Sequence, residues 1–223
     1  MSMKMKKDSI GSNLSYKFLV LGDQMVGKTS VLERYINRTF KENYLLTIGM
    51  DKRFKRLEVN NTDVDIFITD TAGQQRFRSL TKMFYKGADG ILVGFSLTEA
   101  KSLESVNYWI NEINQNCSKD YPISLVLFGN KCDDKENIKV KDEDIQKMKE
   151  KYNLSYFETS AKDGTNVQKV FEQLTKMTLK TRGFLSKIGL PEDTPLENID
   201  IIEKENQKIE VQKAPKKKKK KFC

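Results

Sequence analysis

The chain has 223 residues, 38% hydrophobic and 32% charged, with 40 Lys and Arg against 31 Asp and Glu for a net charge of +9; this is one domain with residues to spare, part of them solvated tail. It contains no histidine, which excludes a Ser-His-Asp triad, a His-ligated zinc and any imidazole proton relay. Cys117, Cys132 and Cys223 are its only cysteines, too few and too scattered for a disulfide framework or a four-ligand metal site, as in a reducing compartment.

Residues 1–14 form a polar, lysine-bearing N-terminal segment without the apolar core of a secretory signal, and Ser2 replaces the glycine that myristoylation needs. Strands are expected at 16–21, 54–59, 64–69, 91–95, 123–128 and, briefly, 156–157. The second and third are joined by Asn60-Asn61 and read as an antiparallel hairpin. Between and after them lie helical stripes. Val31, Leu32, Tyr35 and Ile36 make one; Leu103, Val106, Trp109, Ile110 and Ile113 another; Val167, Val170, Phe171, Leu174 and Met177 a third, with a weaker helix over 142–152. Trp109 lies on the apolar stripe and is assigned to the core. Alternating strands and helices imply βαβ units and a largely parallel sheet covered on both faces. No apolar run approaches the ~18 residues of a membrane span. Beyond Thr181 the periodicity stops: residues 182–223 hold Pro191, Pro195 and 11 basic against 7 acidic residues. They read as a largely disordered tail following a domain at 15–181, with an r.m.s. reach of roughly 35 Å.

Four motifs fall at expected strand ends. Gly22-Asp23-Gln24-Met25-Val26-Gly27-Lys28-Thr29 fits G-x-x-x-x-G-K-[ST], followed by Ser30. Its glycines allow a tight turn that aims backbone N–H groups at a polyphosphate, with Lys28 on the β/γ-phosphates, Thr29 on Mg²⁺ and a helix N-terminus behind. Asp70-Thr71-Ala72-Gly73-Gln74 places an acidic residue where a second contact to Mg²⁺, through water, is wanted; Gly73 lets an N–H approach the terminal phosphate and Gln74 orients a water. Asn130-Lys131-Cys132-Asp133 supplies an amide and a carboxylate three residues apart. A carboxylate accepts two hydrogen bonds from guanine N1–H and N2 but finds no such pair on adenine. Glu158-Thr159-Ser160-Ala161-Lys162 follows the last strand and offers backbone N–H groups to the guanine oxygen.

Four such segments in this order resemble the small GTPases of the Ras superfamily over about residues 16–181. The resemblance implies a P-loop G domain of six strands, mixed but mostly parallel with one antiparallel hairpin strand, flanked by five helices. It also implies a switch hydrolysing GTP to GDP with Mg²⁺. Thr47 then matches the switch threonine that ligates Mg²⁺ beside the γ-phosphate, Tyr44 lies over that phosphate, and Phe40 packs on the guanine ring. Catalysis falls to Gln74, Lys28 and Thr47. Gln75-Arg76-Phe77-Arg78-Ser79-Leu80-Thr81 and Phe84-Tyr85-Lys86-Gly87-Ala88-Asp89-Gly90 are most similar to the Rab branch, as a divergent member. That implies a cytoplasmic protein cycling onto the cytosolic face of a membrane in vesicle traffic. Its exchange factor, GTPase-activating protein and effectors would bind through residues about 40–55 and 70–85.

Three departures qualify the resemblance. Gln24 and Met25 stand where the superfamily often has small residues, predicting slow intrinsic hydrolysis. Lys52, Thr69 and Phe84 occupy the positions of the usual large apolar effector contacts. The chain ends in six lysines, Lys216 to Lys221, then Phe222 and Cys223, with neither a CaaX box nor a second cysteine. One prenyl chain on Cys223 plus the lysines would still give the two signals that stable anchoring to an anionic membrane needs. Two other readings remain open: a hydrolysis-poor GTP-binding scaffold, and a nucleic-acid-binding tail. The lysine run lacks interleaved aromatic residues, so no specific nucleic-acid recognition is expected.

Overall fold

The computed structural model describes residues 14–42, 50–71, 84–118 and 122–203. β1 (Leu14–Gly22) lies at the centre of the sheet, and its alternation decides the layering: Phe18 and Val20 face one core, Leu19 and Leu21 the other. β3 (Thr62–Thr71) and β4 (Gly90–Ser96) flank it in parallel; β5 (Ser124–Asn130) and β6 (Ser155–Thr159) continue the parallel side beyond β4. β2 (Met50–Val59) pairs antiparallel with β3, and Asn60 and Asn61, with φ of 46° and 60°, make the left-handed turn that a two-residue hairpin needs.

Helices cover both faces. α1 (Lys28–Asn37) and α5 (Val167–Thr181) bury Val31, Leu32, Tyr35, Val170, Phe171 and Leu174 against one face, with the Tyr35 and Phe171 rings stacked 3.9 Å apart. α2 (Ala100–Glu104) and α3 (Val106–Asn116), broken at Ser105, cover the other face with α4 (Asp142–Tyr152) through Leu103, Trp109, Ile110, Ile113 and Ile145. Three acidic residues in its first turn and two lysines in its last complement the dipole of α4. Among the described residues no helix is long and apolar enough to cross a membrane.

The sheet has seven strands rather than six. Their order is β6-β5-β4-β1-β3-β2-β7, and β7 (Ile201–Glu203) closes the β2 edge by pairing antiparallel with Leu57, Glu58 and Val59. The packed structure therefore continues beyond residue 181, and a solvated tail beginning at 182 is corrected for residues 182–203. Leu185, Ile188 and Ile199 are buried in the α1/α5 core, and the Asn60 side-chain amide donates to the Ile188 carbonyl. The segment folds through the short 3-10 turns Ser186–Ile188 and Leu196–Asn198, whose apolar residues follow neither a helical nor a strand period.

Its last described residue completes a buried charge cluster. Lys55 points inward from β2 and is 4% exposed; its ammonium lies 3.3 Å from Glu203 Oε2 and 5.2 Å from the centre of the Tyr35 ring. Arg38, just past α1, donates to the same carboxylate oxygen.

Candidate functional site

Of the expected site residues, those from Gly22 to Ser30, Asp70, Asn130 to Asp133 and Ser160 to Lys162 lie at the carboxyl ends of β1, β3, β5 and β6, where ligands bind in open α/β sheets. Two glycines make the first loop possible. Gly22 has φ of 140°, and a Cβ there would lie 2.2 Å from the Gly94 carbonyl oxygen; Gly27, with φ of 94°, would bring one 2.2 Å from Asn130 Nδ2. Gly27 also forms the N-cap of α1 without any side-chain capping bond, and the first turn has no acidic residue. The positive end of the helix, with no carboxylate in its first turn, favours an anion.

Lys28 is 5% exposed and folds back over the loop, donating to the carbonyls of Gly22 at 2.9 Å and Asp23 at 2.8 Å. Two ammonium hydrogens are used and the third remains for a phosphate oxygen. Burial pulls its pKa down to about 8, against the opposing charges of Asp70 and Asp23. A bound polyphosphate would restore the ammonium.

Asp70 lies 1% exposed near the end of β3, and Thr29 Oγ1 donates to its Oδ2 at 2.6 Å. Oδ1 is buried and has no partner among the described residues. Burial raises the Asp70 pKa, with the Thr29 hydrogen bond and the Lys28 charge opposing it. A buried carboxylate with one unanswered oxygen beside a hydroxyl fits a hard divalent cation. No cluster of three or more acidic, Cys or His ligands exists among the described residues. The remaining ligands would thus be waters and phosphate oxygens, as Mg²⁺ prefers. When bound there, Mg²⁺ would neutralise charge developing on the phosphates.

The base-side residues line one cleft of about 240 Å³: Met25, Gly27, Ser30, Phe40, Asn130, Lys131, Asp133, Ala161 and Lys162 all face it. Asn130 holds its walls together. Its Nδ2 donates to the Val26 carbonyl at 2.9 Å, and its Oδ1 accepts from Ala161 N at 3.2 Å and Thr159 Oγ1 at 3.4 Å. One amide hydrogen remains for a purine. The amides of the 158–162 segment differ from expectation: Ser160 N–H donates to the Thr165 carbonyl and Ala161 N–H to Asn130, so a purine oxygen would have to compete for the latter. Asp133 is one of the lining residues, and Lys131 adopts φ of 69°.

Two contributors were not legible in the sequence. Arg34, in the last turn of α1, donates from Nε to the Ala161 carbonyl at 2.8 Å and from its Nη2 to the Lys162 carbonyl, fastening the base loop to the phosphate-loop helix. Trp109 is core, 2% exposed as expected, but its indole N–H also donates to Asp23 Oδ1 at 3.0 Å. These partners lie 127 and 86 residues apart, so no local pattern announces them. Cys132 is buried with a raised pKa, and burial pushes Cys117 up to about 11; neither has thiolate character at neutral pH.

Lys52 and Thr69 are register partners on the outer face of the β2–β3 hairpin, and the Lys52 ammonium stands 5.9 Å from the Phe84 ring centre. One pair along, the Phe54 and Phe67 rings lie 5.4 Å apart, with Phe67 45% exposed. Tyr44, Thr47, Gly73, Gln74, the lysines at 216–221 and Cys223 lie outside the described residues.

Comparison with known proteins agrees with this geometry. The model of the Ras family matches residues 17–180. The chain is 35% identical to Ras-related protein Rab-13 of Bos taurus over 187 residues, 83% of this chain and 91% of that protein. It is 41% identical to Ras-related protein Rab-27A of Canis lupus familiaris over 174 residues, 74% and 78% of the two chains. Identity to Ras-related protein RIC1 of Oryza sativa subsp. japonica is 39% over 156 residues, 70% and 76%. The chain therefore belongs to the Ras family as a Rab-like small GTPase.

Proposed function

We propose that the chain is a GTP/GDP switch that recruits effectors in membrane traffic. The observation that carries this reading is the convergence of Lys28, the Thr29–Asp70 pair and the Asn130-braced cleft on one ligand position. In it, Gly22 to Ser30 cradle the phosphates, Lys28 takes the developing charge of phosphoryl transfer, and Asp133 selects guanine. Thr29, Thr47 and, through water, Asp70 hold Mg²⁺; Tyr44 and Gly73 attend the γ-phosphate, and Gln74 orients the attacking water. Loss of the γ-phosphate releases the contacts of Thr47 and Gly73, and this distinguishes the two states for exchange factor, GTPase-activating protein and effectors.

The apolar part of the effector surface is assigned to Phe54, Phe67 and Phe84, shifted along the hairpin from the positions held by Lys52 and Thr69. A prenyl group on Cys223 and the lysines at 216–221 provide attachment to the cytosolic face of an anionic membrane. The test is to denature the purified chain and identify what it releases. Guanine nucleotide near one per chain is expected; adenine nucleotide, or none, contradicts the reading.

A further inference from the structure

Trp109 is the sole tryptophan of the chain. As a core residue it needs only apolar surroundings, and it has them: it is 2% exposed among Leu19, Leu21, Val93 and Ile113 and meets the Tyr108 ring edge-on at 5.2 Å. Its indole N–H nevertheless reaches out of that core to the phosphate loop, donating to Asp23 Oδ1 at 3.0 Å. Asp23 is thereby held at two points, since its backbone carbonyl accepts the Lys28 ammonium at 2.8 Å.

The arrangement answers a problem specific to this loop. A carboxylate one residue after Gly22 sits in a segment that must present N–H groups and an ammonium to a polyanion. Left unanchored, the residue can swing, and its carbonyl then leaves the Lys28 ammonium that it accepts. A donor fixed on a rigid helix removes that freedom, and α3, which carries Trp109, is anchored by Val106, Ile110 and Ile113. We infer that Trp109 is a positioning residue for the phosphate loop, acting through Asp23: it pins that residue to α3 by its carboxylate, so that the loop and Lys28 keep one arrangement toward the ligand. The inference rests on guanine-nucleotide binding at this cleft and adds to it a link from α3 to nucleotide retention.

The experiment measures dissociation of a fluorescent GDP analogue from the purified full chain and from W109F, D23A and the double variant W109F/D23A, with thermal melts of all four. Either single change should speed release roughly tenfold, the effect of losing one hydrogen bond to a charged group. The double variant should release no faster than the faster single variant, because both changes break the same bond. D23A should melt close to the wild type, which separates the loop effect from lost core packing at Trp109. In the wild type, emission from Trp109 should shift on nucleotide exchange, and D23A should lose that shift. Wild-type release rates in D23A, or a double variant whose effect is the product of the singles, overturn the assignment alone. A wild-type chain that retains no guanine nucleotide overturns both this inference and the nucleotide reading beneath it.

Discussion

Two buried lysines divide the molecule. Lys28, under the phosphate loop, and Lys55, inside the β2–β7 edge, are 5% and 4% exposed, and each carries a charge that burial penalises. At the edge the chain supplies its own answer, with Glu203 accepting from Lys55 and Arg38 beside the Tyr35 ring. At the loop the ammonium is met by backbone carbonyls, while Asp70, behind Thr29, keeps one buried oxygen without a partner among the described residues. The first arrangement is answered by a carboxylate of the chain itself and holds the fold, although Glu203 Oε1, like Asp70 Oδ1, is buried without a partner among the described residues; the second leaves its ammonium on backbone carbonyls, in the form a magnesium-bearing polyphosphate completes. A buried charge reads as functional where its compensation comes from outside the chain, and as structural where it comes from within.

Removing the internal answer should have the largest effect. A chain ending at Gly183 loses Leu185, Ile188, Ile199 and Glu203. Each aliphatic side chain contributes about 1.5–3 kcal/mol of burial, together comparable to the ~5–15 kcal/mol stability of a domain. Circular dichroism and soluble yield should show an unfolded or aggregating product; a melt like that of the full chain would return the boundary to residue 181. Glu203→Ala is gentler. It strands the Lys55 charge and should cost about 3–5 kcal/mol in denaturant unfolding, whereas Lys55→Met with Glu203→Leu should recover most of that loss. If Glu203→Ala unfolds like the wild type, the edge cluster is not structural.

The open site should respond to pH instead. In the folded protein Lys28 titrates near 8, below its ordinary 10.5, and a bound polyphosphate favours the ammonium. Nucleotide affinity should therefore be flat below about pH 8 and fall above it, by at most tenfold per unit. Titrations at pH 7, 8 and 9 check this. Without nucleotide the sign reverses: the unfolded chain binds more proton between about pH 8 and 10.5, so Lys28 makes the fold more stable as pH rises through that window. Smallest is the effect of the loop's own side chains. Gln24 is exposed, and Met25 is 60% exposed with φ of 65°. Gln24→Gly should raise single-turnover GTP hydrolysis several-fold if the side chain crowds the reacting end, and an unchanged rate would dismiss crowding.

The same division governs what the sequence could reveal. The phosphate loop, Asp70 and the Asn130 motif were legible because their chemistry is written in contiguous residues at strand ends, and Asn60-Asn61 because its turn needs two left-handed residues. β2 starts at Met50, before its apolar run, and the exposed Lys52 hides that start from the hydrophobic pattern. Residues 182–203 read as tail because their burial comes from irregular 3-10 turns and a three-residue strand, neither long enough to show a period. Nothing local in the sequence marks Lys55 as buried, because its partner Glu203 lies 148 residues away.

The central claim is that Asp133 chooses the base of the ligand whose phosphates Lys28 and the loop grip. It is tested most directly by the nucleotide preference of Asp133→Asn, measured by competitive binding of guanosine and xanthosine diphosphates. Replacing the carboxylate should weaken the guanine nucleotide by roughly a hundredfold or more, through two lost charge-assisted hydrogen bonds, and turn preference toward xanthine. A variant that binds both as the wild type does would contradict the account.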